Sequence, residues 1–189
     1  MTIRLAKPDP DHLRALRDAS RSMPITYSPV GLSSATTAPS GYRIDRWSRE
    51  LGHGDDVFQR AVHALRHWDV HRGAGLLLCA DGPAEIGSVV AMAAPLPIGF
   101  IDVVCRVVDV TERPDRVGFA YGTLPVHPEQ GEESFTVARH DDTVVFEIVA
   151  CSRSRHPLAR ACPPAARALQ RAATKRYLDA MQTASGSAL

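Results

Sequence analysis

The chain has next to no excess charge of either sign: 22 Lys and Arg stand against 21 Asp and Glu, a net charge of +1. Neutralising a phosphate backbone takes a surplus of basic groups, so nucleic acid is not expected among the partners. Long apolar runs are missing as well. The most apolar uncharged stretch, Ile86–Ile101, is broken by Pro95, Pro97 and two glycines and closed by Asp102. It is too short and too interrupted to span a membrane. Met1–Leu13 carries Arg4, Lys7, Asp9 and Asp11 without an apolar centre, which does not make a signal peptide. A soluble, cytoplasmic protein is the expectation.

The four cysteines, Cys79, Cys105, Cys151 and Cys162, form no C-x-x-C pair, and three fall in apolar strand-like runs. They read as buried free thiols in a reducing compartment, with spacing unlike that of a zinc site. No G-x-S-x-G, P-loop or H-E-x-x-H is present. Gly52-His53-Gly54 is half a dinucleotide fingerprint, but Val57 stands in the place of its third glycine, and Asp55 and Asp56 would repel a pyrophosphate. His63, His67 and His71 align at i, i+4 and i+8. Their helical phase puts them opposite the apolar stripe, on a solvated face. Neither a cofactor nor a metal is expected.

What is present is a chain of one-domain length, 189 residues. Residues 1–23 read as an extension with a short helix over Pro10–Arg21, and Ser22–Gly41 as a loop rich in Ser, Thr, Pro and Gly. A strand is predicted over Tyr42–Glu50. A helix then starts near Asp55 or Asp56, either able to cap it, with Val57, Phe58, Ala61, Val62, Leu65 and Trp68 forming one stripe. Six strand-like segments follow: Leu76–Ala80, Ile86–Pro95, Phe100–Thr111, Val117–Leu124, Glu133–Arg139 and Thr143–Ser152. The turns between them are short, which favours antiparallel neighbours. A last helix is predicted over Pro163–Gln182, with Leu169, Ala172, Ala173, Tyr177, Ala180 and Met181 on one face and Arg167, Arg171, Thr174 and Lys175 away from it. The domain is bounded at 24–183, with 184–189 a disordered tail.

A curved sheet buries one face only if something covers it, and the terminal helix is the available cover. The predicted class is therefore α+β: a seven-stranded antiparallel sheet packed on a long C-terminal helix. This element order resembles the helix-grip fold of the START and Bet v 1 superfamily, which implies a ligand cavity between sheet and helix.

A closer resemblance rests on Gly118–Pro125 followed by His127-Pro128-Glu129, Gly131-Glu132-Glu133 and Phe135, which reads GFAYGTLPVHPEQGEESF. Tyr27–Gly31 (YSPVG), Gly41-Tyr42, Arg49–Gly54 (RELGHG), the Phe58/Ala61/Leu65/Trp68 helix, Arg106, Ser152-Arg153, Gln170 and Tyr177-Leu178 agree with it. Over residues 24 to 180 the chain is similar to the uncharacterised protein family UPF0548 (DUF1990 domain). That resemblance implies a fold and no substrate.

Val117–Leu124 alternates Phe119, Tyr121 and Thr123 on one face with Gly118, Ala120 and Gly122 on the other, and small residues admit a neighbouring backbone or a ligand. The next turn gathers His127, Glu129, Glu132 and Glu133. The bland reading is a Pro-Gly turn with solvated charges. The functional reading is a carboxylate–imidazole cluster at the pocket mouth, with His127, Glu132 and Tyr121 as acid–base candidates. Arg106, Tyr121, Thr123, Glu129 and Glu133 are then candidate ligand contacts. Arg106 on an apolar strand face needs an anion, and Glu132, Glu133 or Glu147 is the expected pair partner. Glu147 itself reads as solvent-side, because Val144, Phe146, Ile148 and Ala150 form the cleaner core face. Three functions are consistent with this pattern. One is a binder of a small apolar or amphipathic metabolite. Another is a cyclase, dehydratase or hydrolase-type enzyme on the same pocket. A third is a protein-interaction module whose Glu-rich turn docks a basic partner.

Overall fold

A computed structural model describes residues 3–155 and 163–186, so Cys162 lies outside the described residues. In chain order the elements are β1 (Ile3–Arg4), α1 (Pro10–Ser20), a 3-10 turn (Leu32–Ser34), β2 (Arg43–His53), α2 (Asp55–Arg66), α3 (Asp69–Gly73), β3 (Leu77–Ala80), β4 (Val89–Pro95), β5 (Phe100–Arg113), β6 (Arg116–Thr123), β7 (Glu129–His140), β8 (Thr143–Ser154) and α4 (Pro163–Ala184). Seven strands form one antiparallel path, β2-β8-β7-β6-β5-β4-β3. The expected seven-stranded sheet gains an eighth, two-residue strand: β1 pairs with the start of β5, Ile3 opposite Ile101 and Arg4 opposite Phe100.

Local chemistry explains most boundaries. Asp9 caps α1, its carboxylate accepting from the His12 N–H at 2.7 Å, with Pro10 following it in the first turn. Helix α2 differs from expectation, since Gly54 is its cap residue and makes no side-chain cap bond. Asp55 and Asp56 sit inside the first turn, where carboxylates suit the positive end of the helix dipole, and Asp55 also holds Arg139 at 2.8 Å. Trp68 takes a left-handed conformation (φ 64°), so α3 restarts out of phase with α2. That break corrects the reading of the three histidines. His63 and His67 are exposed, while His71 is fully buried among Trp68, Phe119, Phe135 and Tyr177.

The concave face of the sheet carries a gradient that creates the site. Along β8 it presents Phe146, Ile148, Ala150, Ser152 and Ser154. Along β7 it runs Val137, Phe135, Glu133, Gly131 and Glu129, and β6 offers Phe119, Tyr121 and Thr123. At the bulky end Phe58, Leu65 and Trp68 of the α2–α3 segment, with Tyr177, Leu178 and Met181 of α4, close a solid core against Phe119, Phe135 and Phe146. Toward the other end the side chains shorten and turn polar, and the sheet and helix separate. The buried face of α4 includes Thr174, 2% exposed, which helical phase had placed on the outer side. The helix continues to Ala184, and Ser185 is buried with its carbonyl accepting from Arg60 Nε at 2.8 Å, so of the expected tail only 187–189 lie outside the described residues. Among the described residues no helix is long and apolar enough to cross a membrane.

The convex face is also covered. Leu16 of α1, with Ile25, packs on Val89, Ala91, Val104 and Leu124. Tyr27 and Leu32 pack beside Cys151. Cys105 and Cys151 are buried free thiols, and Cys79 is half-buried. Tyr27 reaches the sheet at Gly122, where an added Cβ would lie 2.3 Å from the Tyr27 hydroxyl. Gly122→Ala is therefore expected to destabilise the protein by about 1–3 kcal/mol through displacement of that ring. Urea unfolding reads this, and an unchanged midpoint would contradict the packing described.

Candidate functional site

A cavity of about 650 Å³ lies between the sheet and the N-terminal part of α4. Its apolar walls come from Leu76, Met92, Ile101 and Val103 on the sheet side and from Leu169 and Ala173 on the helix. Tyr121, Thr123, His127, Glu129 and Glu133, all candidates from the sequence, line it together.

Glu133 is the chemical centre of this surface. It faces the cavity from β7, opposite Tyr121 of β6, whose hydroxyl donates to Glu133 Oε2 at 3.0 Å. Burial drives its pKa up from 4.5 to about 7, against the Tyr121 hydrogen bond and helped by the nearby Glu129 charge. Tyr177 of α4 stands beside this pair, and its phenol is electrostatically coupled to Tyr121 and Glu133. Burial raises both phenols above their ordinary range, so both hydroxyls stay protonated.

His127 and Glu129 sit beside this group. The Glu129 backbone N–H donates to His127 Nδ1 at 3.0 Å. The same Nδ1 also lies 3.3 Å from the Glu129 carbonyl, so the ring is held against the Glu129 backbone. Burial lowers the His127 pKa to about 4, so the ring is neutral at physiological pH. Glu129 is raised by burial while accepting from Ser152 Oγ at 2.9 Å. The arrangement can hold or exchange a proton at Glu133 near neutrality, a condition for general acid–base work.

Three candidates are placed differently from the sequence reading. Adjacent strand residues point to opposite faces, and Glu132 points away from Glu133, to the convex side. There its carboxylate, 2% exposed, accepts from Tyr27 Oη (2.8 Å), Gly31 N (2.9 Å), Ser33 N (3.1 Å) and Ser33 Oγ. Glu132 borders the cavity as well, but its carboxylate is taken up in anchoring the N-terminal loop. Arg106 is also on the convex side, donating to the Arg21 carbonyl at 2.7 Å, and it does not pair with Glu132, Glu133 or Glu147. Glu147 is half-buried and pairs with Arg116 at 2.6 Å. Thr123 lines the cavity, but its hydroxyl is shared with Thr26 Oγ1 (2.6 Å) and accepts the Gly131 N–H (3.0 Å), which commits it to the backbone.

Arg176, Ser152 and Ser154 line the cavity and were not among the site candidates from the sequence. The continuation of the Phe146/Ile148/Ala150 face to Ser152 and Ser154 was the available signal for the serines. For Arg176 it was its place beside Tyr177 on the edge of the apolar stripe.

The raised Glu133 pKa has a thermodynamic signature. The unfolded chain releases this proton near 4.5 and the folded chain near 7, so its contribution to stability is complete below about 4.5 and lost as pH rises through about 7. His127 works in the opposite direction, losing stability as pH falls from 6.5 toward 4. Its effect is common to wild type and Glu133→Gln and cancels in their difference. The stability of Glu133→Gln relative to wild type is expected to rise by about 2 kcal/mol over that window. Urea unfolding across the pH series measures it, and a flat difference would show that the carboxyl is ordinarily solvated.

The description of the family whose model matches residues 26–180 is "Domain of unknown function (DUF1990)". A UPF0548 protein of Deinococcus radiodurans is 30% identical over 195 aligned positions, covering 96% of this chain and 98% of the relative. In the solved structures, the hypothetical protein jhp0584 of Helicobacter pylori superposes with a TM-score of 0.58 at 13% identity, over 87% of this chain and 98% of that one. Ara h 8.0201 gives 0.55 at 9% identity, over 78% and 100%. At such identities these two likenesses speak for the helix-grip fold alone. With a family model spanning most of its length and a relative aligned end to end, the chain belongs to the DUF1990 (UPF0548) family.

Proposed function

We propose that the protein binds a small apolar or amphipathic molecule in the cavity between the sheet and α4. The observation that carries this reading is the gradient on the concave face. A well-packed aromatic core gives way to short and polar side chains, leaving about 650 Å³ of space. Sites for small molecules usually span about 300–1,000 Å³, with apolar walls and a few convergent polar groups. Here Tyr121, His127, Glu129 and Glu133 are those groups.

An enzyme on the same pocket is the second reading, and Glu133 favours it. A carboxyl near neutrality, hydrogen-bonded to buried Tyr121, suits proton transfer in a cyclisation, dehydration or hydrolysis. The interaction-module reading needed all the glutamates of the 129–133 turn in solvent, and Glu132 is 2% exposed.

The cavity is tested by fluorescence titration with Nile red, an uncharged apolar dye. Wild type is expected to bind it. Ala173→Trp fills the space from α4 and is expected to weaken binding at least tenfold with the fold retained by circular dichroism. Equal dye binding by the two proteins would rule out this cavity as the site. For the second reading, wild type is incubated with a metabolite extract. Depletion of a component by wild type but not by Glu133→Gln supports catalysis, and identical profiles oppose it.

A further inference from the structure

Among the described residues, Arg176 is the one cationic group on the cavity surface whose charge has no ion-pair partner. It lines the cavity from α4, its Nε is buried without a hydrogen-bond partner, and among the described residues it makes no ion pair. Burying a guanidinium N–H without an acceptor is costly. The carboxylates on the same surface do not answer it: Glu133 accepts from Tyr121 at 3.0 Å and Glu129 from Ser152 at 2.9 Å. Asp179, three residues on, is already paired with Arg49 and Lys175, each at 2.7 Å. Between Glu147 and Asp179 there are seven Arg and Lys residues and no acidic one, and residues 156–162 contain no Asp or Glu. A second donor shares the condition, since Ser154 Oγ lines the cavity, buried and without a partner.

The unmet demand in this cavity is therefore for an acceptor. We propose that the ligand is an anionic amphiphile whose oxyanion head pairs with Arg176 while its apolar body fills the space between α4 and the β4–β5 wall. The proposal rests on the cavity-binding reading above and names its ligand class. A planar guanidinium matches carboxylate and phosphate oxygens with parallel hydrogen bonds, which suits either head group. The walls supplied by Met92, Ile101, Val103, Leu169 and Ala173 exclude a purely polar anion. Exposed Arg155, Arg167 and Arg171 lie on the chain leading to and along α4, and their field draws anions toward this end of the molecule. A cationic ligand is disfavoured for a separate reason: burial holds Glu133 toward its neutral form and raises Glu129 in the same direction, which weakens the negative field it would need.

Four probes with one twelve-carbon chain separate head from body: dodecanoate, dodecyl phosphate, dodecanol and dodecylamine, each displacing Nile red. Wild type is expected to bind at least one of the two anions ten or more times tighter than the alcohol, and the stronger anion identifies the head. Arg176→Gln is expected to bring that anion within about twofold of dodecanol without weakening dodecanol itself. Arg176→Lys is expected to keep part of the preference. The thermal midpoint of Arg176→Gln should equal or exceed that of wild type, because an unpartnered buried Nε–H is removed. A structural arginine would lower it. Tighter binding of the amine, an anion preference that survives Arg176→Gln, or dodecanol bound as well as both anions would overturn the proposal while leaving the cavity reading intact. Failure of Nile red and all four probes to bind would overturn the cavity reading itself.

Discussion

The buried carboxylate of Glu132 is the interaction on which the rest of the architecture depends. An isolated ionised carboxylate inside a protein is very costly, and this one is tolerated because four donors converge on it from Tyr27, Gly31 and Ser33. That convergence fastens the N-terminal loop across the convex face, where Tyr27 fits only because Gly122 has no side chain. With its back covered, the sheet can devote its concave face to α4 and the cavity. The two-residue period of β7 then fixes the rest. If Glu132 faces the loop, Glu133 must face the cavity, and two adjacent glutamates acquire opposite roles, one fully satisfied and one held near neutrality.

Much of this was legible in the sequence. Strands separated by Pro, Gly and Asp turns, an amphipathic terminal helix, and the alternation of Phe119, Tyr121 and Thr123 against glycine and alanine all have direct structural counterparts. The match between YSPVG and GFAYGTLPVHPEQGEESF also acquires a physical cause. Tyr27 and Gly31 of the first stretch grip Glu132 of the second, and Gly122 makes room for the ring.

What escaped the sequence depended on faces and phase. Glu132 and Glu133 cannot be assigned to faces until the register with β6 is known. The three histidines look continuous on one helix, and nothing local announces that Trp68 adopts a left-handed conformation, a choice enforced by tertiary packing and not by propensity. Arg106 was read by its apolar neighbours, yet those neighbours face α1, so its partner is a backbone carbonyl. Thr174 and Arg176 border the apolar stripe of α4, and whether such border positions turn inward depends on what the helix lies against.

Strand β1 joins the start of the described chain to the rim of the cavity. Ile3 lines the cavity while pairing with Ile101, and Arg4 ties the strand to Asp102 at 3.2 Å. The pairing requires the close approach of Gly99, where a side chain would collide with the Arg4 carbonyl. Polypeptide fused ahead of Ile3 would emerge beside the cavity, so an affinity handle placed there has the space within reach. Ligand screens with this protein are accordingly better served by handles carried elsewhere, or by cleavage before measurement.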